Sequence, residues 1–371
     1  MMLSRFSRLL ALLLIISQCQ AQKTARRHAK QPLAVLAYYS GNASEIDQYD
    51  VQKLTHIIYS FCYLRGNQLY VGNAEPVIRK LVSLKKKQPS LKVLLSLGGW
   101  GGCKTCSDVF SRKGARDSFA LSVKQWTDKL GTDGIDLDWE YPAIEGPPGH
   151  PYKEEDRPNF TELVKALRKV LGSKHEISFA AGAFTKCLEE SIAWKEVMPV
   201  VDRVNLMTYD LVNGYSTTTG HHTALYSTPE LKESTNNAVT YLESLGIPRN
   251  KMVIGAAFYA RVFENVDSVN NGLYRPTKFK SFIPYRIFPT VLAQADGYTA
   301  YRDDIAKAPY SYNPSKKLFA TYDDSLSVDL KTNYAIDKGL NGIMFWELTL
   351  DKPKDGLLDV IDKVKKQKES K

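Results

Sequence analysis

The sequence predicts an α/β protein, a (β/α)8 TIM barrel with a small α+β insertion between its seventh and eighth strands. Three observations predict it. Short apolar or β-branched runs recur eight times, and most are separated by stretches with helical spacing. One connection, residues 262–318, is far too long for a compact domain unless it folds by itself.

The elements follow in order. Residues 1–21 carry a basic start at Arg5 and Arg8, an apolar run over 9–16 and a small-residue exit at Ala21. This reads as a secretory signal peptide cleaved near Ala21, which makes the protein secreted and the catalytic domain residues 22–371. The run is too short to span a bilayer, and no later segment reads as a membrane anchor. Lipid attachment through Cys19 is the weaker alternative, because Gln18 does not suit the cleavage it needs. Strands are expected at 32–39, 55–62, 92–97, 134–140, 177–183, 203–209, 252–258 and 342–346. Helices are expected at 77–87, 115–130, 160–171 and 231–245. Eight strands alternating with helices favour a closed barrel over an open doubly wound sheet. The 262–318 insertion is rich in aromatics such as Tyr274, Phe279, Phe282 and Tyr285, and is expected to wall a cleft at the C-terminal face of the barrel. The charged tail after about Lys363 reads as frayed.

Composition sets limits on function. The chain has 371 residues, 43% hydrophobic and 24% charged, which excludes collagen, extended disorder and a multi-span membrane protein. Losing Arg5 and Arg8 with the leader lowers the net charge from +10 to +8. The lysines at 85–87 and near the C-terminus read as solvated faces. No phosphate loop or nucleic-acid motif is present, so no nucleic-acid partner is expected. Cys103 and Cys106 form a C-x-x-C pair without a second one, so zinc is not expected. A local disulfide and two free thiols both remain open. Asn42 and Asn159 begin N-x-S/T sequons.

The most informative segment runs from Asp133 to Pro142 as DGIDLDWEYP. Side chains alternate along a strand, so Asp136, Asp138 and Glu140 share one face and Ile135, Leu137 and Trp139 the other. The apolar face suits the helix layer, which turns the acids into the barrel. Three carboxylates about 7 Å apart along a strand must share protons or find partners, and structure alone rarely asks for that. A calcium loop would need glycine where Tyr141 stands. Acid–base catalysis remains. Two acids on one strand approach a sugar from the same side, so they do not flank a glycosidic bond as the usual pair does. A 2-acetamido group on the sugar could itself attack the anomeric carbon. Glu140, nearest the C-terminal mouth, is then the acid, and Asp138 orients the acetamide.

This segment resembles the D-x-x-D-x-D-x-E signature of family 18 glycoside hydrolases, the chitinases, and the match is complete. That family is already known for substrate assistance, so the acetamide reading is not independent of it. Leu95-Ser96-Leu97-Gly98-Gly99-Trp100 resembles the family's S-x-G-G motif, and Met207-Thr208-Tyr209-Asp210 its M-x-Y-D motif. Phe258-Tyr259-Ala260-Arg261 resembles F-Y-G-R, and Trp346 matches the tryptophan of the eighth strand. The insertion resembles that of the family's deep-cleft subgroup.

The resemblance implies roles. Glu140 is the acid/base, Asp138 orients the acetamide, Asp136 shares a proton with Asp138, and Tyr209 hydrogen-bonds the acetamide carbonyl. Asp210, Met207, Tyr259, Arg261 and Tyr141 line the sugar pocket. Trp346 forms its floor, Tyr38 and Ser96 support Asp136, and Trp100 offers a stacking face. Singly, Trp346, Tyr38 and Met207 would serve equally well as core. The implied substrate is chitin or a chito-oligosaccharide, cut near a chain end by a monomer that needs no cofactor. Two alternatives share the fold. A chitin-binding lectin typically loses the acid, which is present here. An endo-β-N-acetylglucosaminidase acting on N-glycans shares the acid but more often lacks the insertion.

Overall fold

The computed structural model describes residues 32–370, so the signal peptide and Cys19 lie outside the described residues. Eight parallel strands close a barrel. In chain order the strands are β1 (Ala34–Tyr39), β2 (His56–Arg65), the hairpin strand β3 (Gln68–Tyr70), β4 (Lys92–Gly98), β5 (Gly134–Asp138), β6 (Glu176–Gly182), β7 (Arg203–Met207) and β8 (Met252–Ala257). An insertion follows with β9 (Tyr259–Glu264), β10 (Lys278–Pro284), β11 (Thr299–Asp303), β12 (Ala308–Asn313) and β13 (Leu318–Thr321), before β14 (Gly342–Trp346) completes the barrel. The sheet order β1-β14-β8-β7-β6-β5-β4-β2 is closed by pairing of β1 with β2. All eight expected strands are present.

Pleating sorts the side chains. One parity of each barrel strand packs outward in a large core with the helices, as with Ile135, Leu137 and Trp139. Trp139 meets Phe110 and Phe160 there, at 5.6 and 6.3 Å between ring centroids. The other parity fills the barrel with Leu36, Tyr38, Ile58, Leu94, Ala180, Met207, Val253 and Met344. Register places Ser96 beside Asp136, and Asp136 beside Ser178. The acids therefore do face inward.

The long connection forms a five-stranded antiparallel sheet in the order β10-β9-β13-β12-β11. Only Phe258 separates β8 from β9, so the sheet grows directly out of the C-terminal mouth of the barrel. The apolar run at Leu318 is β13 of this sheet.

Several boundaries differ from expectation. The helix expected at 231–245 is Thr235–Ser244, because Ser234 takes an extended backbone and its side chain accepts from Asn237 N. Besides three α-helices of four or five residues, two longer ones were not expected, Ser325–Lys338 and Leu357–Glu369. The second corrects the frayed tail. It buries Leu357, Leu358, Ile361 and Val364, and Lys368 pairs with Asp337 at 2.8 Å. Four apolar residues on one face outweigh the charges on the other.

Candidate active site

Asp136 and Asp138 are the inward residues of β5, and both are buried. Asp136 accepts four hydrogen bonds from four different strands. Tyr38 Oη and Ser96 Oγ donate to Oδ2 at 3.1 and 2.9 Å, and Ser178 Oγ and Asn205 Nδ2 donate to Oδ1 at 2.6 and 3.1 Å. Burial raises its pKa, and those four donors oppose the rise. Asp138 has no such support, since its Oδ1 has no hydrogen-bond partner among the described residues. Burial first, then the charges of Glu140 and Asp136, lift it well above the ordinary carboxylate range.

Sequence periodicity extended this strand to Glu140, but it ends at Asp138. Glu140 lies just past the strand end, partly exposed, with a non-proline cis peptide bond to Tyr141. Burial raises its pKa to about 7, with Tyr141 opposing and Asp210 adding to the rise. The close passage of β4 against β5 depends on Gly98, whose φ is +115° and whose Cβ, were there one, would sit 2.1 Å from Asp138 O.

Tyr209 follows the end of β7. Its ring enters the barrel because Gly255 on β8 has no side chain, and a Cβ there would lie 2.7 Å from Tyr209 Cε1. The hydroxyl's hydrogen-bond partner among the described residues is Met344 Sδ at 3.7 Å, a weak acceptor. Burial, then the charges of Asp138, Asp210 and Glu140, hold the phenol protonated as a donor.

Asp210 has a φ of +55°, which aspartate tolerates better than most residues. This turns its carboxylate to Arg261 on β9, which donates from Nε to Oδ1 at 2.7 Å and from Nη2 to Oδ2 at 2.5 Å. His222 lies 3.5 Å from Oδ1. Burial alone would raise Asp210, but His222 and Arg261 hold it well below the usual range. The insertion thus supplies part of the site. Tyr259 stands edge-on to Tyr209 at 6.2 Å and meets Phe282 of β10 at 5.8 Å.

Trp346 ends β14 half-buried, stacked on Phe61 at 5.4 Å and tilted against Tyr38 at 5.8 Å. Met207 and Tyr141 pack in the same cluster. Trp100 is 44% exposed, which leaves a face open beside Tyr141 at 6.4 Å and Tyr215 at 6.0 Å. Cys103 and Cys106 are joined in a disulfide in the loop that follows Trp100. The geometry therefore brings together all thirteen residues singled out by sequence.

Four more belong with them. Ser178 and Asn205 were findable, since they occupy inward positions of β6 and β7 by the same alternation that places Asp136. His222 and Phe61 carried no local signal, because a loop return and a strand two places from β14 bring them in. Among the described residues no group of three or more His, Cys, Asp and Glu side chains is arranged to hold a metal ion, and no helix is long and apolar enough to cross a membrane.

The model of the Glycosyl hydrolases family 18 matches residues 34–351. The chain is 34% identical to Chitinase A1 of Niallia circulans over 75% of its own length, and the match spans 43% of that longer protein. It is 30% identical to Chitinase 1 of Aphanocladium album, covering 81% of this chain and 76% of the relative. Among solved structures, a family 18 N-acetylglucosaminidase from Paenibacillus barengoltzii is similar with a TM-score of 0.82 at 32% identity, covering 90% of this chain and 99% of that one. The Group IV chitinase of Ostrinia furnacalis in complex with allosamidin gives 0.83 at 26% identity, covering 91% and 99%. A closed eightfold barrel, acids on β5, its fourth strand in chain order, and a family match across nearly all the described residues lead to one conclusion: the chain belongs to family 18 of the glycosyl hydrolases.

Proposed function

We propose that the chain hydrolyses β-1,4 bonds between N-acetylglucosamine units of chitin or chito-oligosaccharides, by a retaining mechanism in which the substrate's acetamide is the nucleophile. The observation that carries this reading is a pair of unsatisfied polar groups beside the acid. Among the described residues Asp138 has an acceptor oxygen without a partner, and Tyr209 has a hydroxyl donor with only a thioether. An acetamide offers the complement, an N–H for Asp138 and a carbonyl oxygen for Tyr209.

The steps follow. The sugar sits on Trp346 with its acetamide between Asp138 and Tyr209. Glu140, protonated near neutrality, gives its proton to the glycosidic oxygen as that bond breaks. The acetamide oxygen closes on the anomeric carbon to form an oxazolinium ion. Asp138 stabilises the positive charge through the N–H, and Tyr209 orients the oxygen. Glu140, now a carboxylate, takes a proton from water as the water opens the ring. Two displacements at one carbon keep the β configuration. Asp210 and Arg261 fix the edge of the pocket.

The relatives, chitinases for the most part and an N-acetylglucosaminidase in one case, support the substrate class. They leave product size as a second axis, a single sugar or a longer oligosaccharide. The test is hydrolysis of a chitin oligosaccharide with the product anomer followed by NMR. Initial β-anomer, with the rate lost by about 10²–10⁴-fold in Glu140→Gln, is expected. An initial α-anomer would overturn the mechanism, and binding without cleavage by the wild-type chain would overturn the activity.

A further inference from the structure

A buried ion pair lies outside the cleft, on residues that the mechanism does not use. Lys331, in the helix Ser325–Lys338, and Asp323, in the turn before it, are both fully buried. Lys331 Nζ donates to both oxygens of Asp323, at 2.9 and 2.7 Å, and to Thr223 Oγ1. Asp323 also accepts from Ser327 Oγ at 2.7 Å, Thr223 Oγ1 at 2.9 Å and the Ala257 amide at 2.9 Å. The pair therefore gathers donors from the helix, from the loop after β7 and from the end of β8.

That loop is where the connection to the site lies. Thr223 Oγ1 is also 3.2 Å from the carbonyl oxygen of Thr208, which belongs to the peptide group that carries Tyr209. Thr208 Oγ1 in turn donates to Gly255 O at 2.7 Å and accepts from Gly255 N at 2.9 Å. Gly255 is the residue whose missing side chain admits the Tyr209 ring. One residue further, His222 N donates to Thr321 Oγ1 at 3.1 Å, and the His222 carbonyl accepts from Leu211 N at 3.0 Å. The Thr208–Leu211 corner is thus held from the barrel on one side and from the 321–331 segment on the other.

We infer that the Lys331–Asp323 pair is a positioning device for Tyr209, acting through Thr223 and the Thr208 peptide. The inference rests on the reading of Tyr209 as the acetamide partner. An ionic group suits the task. Asp323 must accept from Lys331, Ser327 and the Ala257 amide at once, which a neutral amide cannot do, and it shares the single Thr223 hydroxyl proton with Thr208 O. Lys331 compensates its charge where water does not reach. A cluster of this kind has few alternative arrangements, so it fixes one orientation of the peptide it holds.

The test is a double-mutant cycle on chito-oligosaccharide hydrolysis with Lys331→Met and Tyr209→Phe. If Lys331 acts through Tyr209, Lys331→Met lowers kcat by about 10–100-fold with KM changed less than about 3-fold. In the Tyr209→Phe background the same substitution costs less than about 3-fold. A purely structural role would lower kcat by the same factor in both backgrounds, and that result overturns the inference. Thr223→Val removes only the linking hydroxyl, and serves if Lys331→Met does not fold. It is expected to give the same non-additivity with a smaller amplitude. A second readout does not need turnover. With 3-fluorotyrosine incorporated, the ¹⁹F resonance assigned by its loss in Tyr209→Phe should shift in Thr223→Val. An unshifted resonance overturns the inference even if the chain hydrolyses no chitin, whereas a shifted resonance with an inactive wild type would fault only the functional reading.

Discussion

Glu140→Gln should stabilise the protein, and by more at high pH than at low pH. A carboxyl whose folded pKa is raised favours the native state below its unfolded pKa, and that stability is lost as pH rises through the folded value. For Glu140 the window runs from 4.5, its ordinary value, to about 7. Linkage over that interval gives a native-state penalty of about 3 kcal/mol at pH 8 and about 1 kcal/mol at pH 5. Glu140 is partly exposed, so screening trims the difference to about 1–2.5 kcal/mol. Glutamine has nearly the same shape and does not ionise. Urea denaturation of both proteins at pH 5 and pH 8 isolates the effect, and in calorimetry it corresponds to about 1–4 °C of extra gain at pH 8. The reasoning fails if the variant's advantage is equal at the two pH values. Glu140 would then titrate as an ordinary carboxyl and could not hold its proton near neutrality.

Other consequences are as direct. Gly255 has no unusual backbone angle, so alanine there is limited only by space, and its Cβ would lie 2.7 Å from Tyr209 Cε1 and 2.9 Å from Met344 Cε. Gly255→Ala should cost about 1–3 kcal/mol by overpacking and lower kcat by about 10–100-fold, so steady-state kinetics with unchanged rates would refute the packing argument. The Cys103–Cys106 disulfide closes a short loop, so Cys103→Ser with Cys106→Ser should cost no more than about 2 kcal/mol. The same pair of substitutions should weaken binding of long oligosaccharides that reach Trp100 and spare short ones, which calorimetric titration with a length series would reveal.

The barrel was legible because its strands obey the simplest rule in the chain. Ile135, Leu137 and Trp139 alternate with three acids, and no helix could segregate them so cleanly. Strand ends were less legible. Periodicity ran on through Glu140 and Tyr209, but β5 stops at Asp138 and β7 at Met207. Both candidate site residues therefore stand where ladder pairing has ended. The tail after about Lys363 read as frayed because charges outnumber apolar residues there, and only the burial of Leu357, Leu358, Ile361 and Val364 shows that it continues a packed helix. His222 and Phe61 were invisible for a different reason. Each meets its partner across a distance in sequence that no local pattern encodes, His222 to Asp210 through a loop return and Phe61 to Trp346 across the barrel rim.

Asp136 and Asp138 on β5, with Glu140 just past its end, show how a protein tolerates a cluster that electrostatics opposes. Their solvation is graded along the strand. Asp136, deepest, is surrounded by four donors, three of them hydroxyls that can rotate to follow a change of its charge. Asp138 has one oxygen without a partner among the described residues, and Glu140 is partly exposed. The deepest acid is therefore the most satisfied, and ionisation costs most at Asp138, with burial still holding Glu140 up at about 7. A carboxyl that is costly to ionise stays protonated, and a protonated carboxyl beside the scissile bond is what a general acid requires. On the same argument the unsatisfied oxygen of Asp138 is most destabilising in the empty site and least so when an N–H occupies it. Binding an acetamide should then relieve the native state, and a sugar lacking that group should bind without doing so.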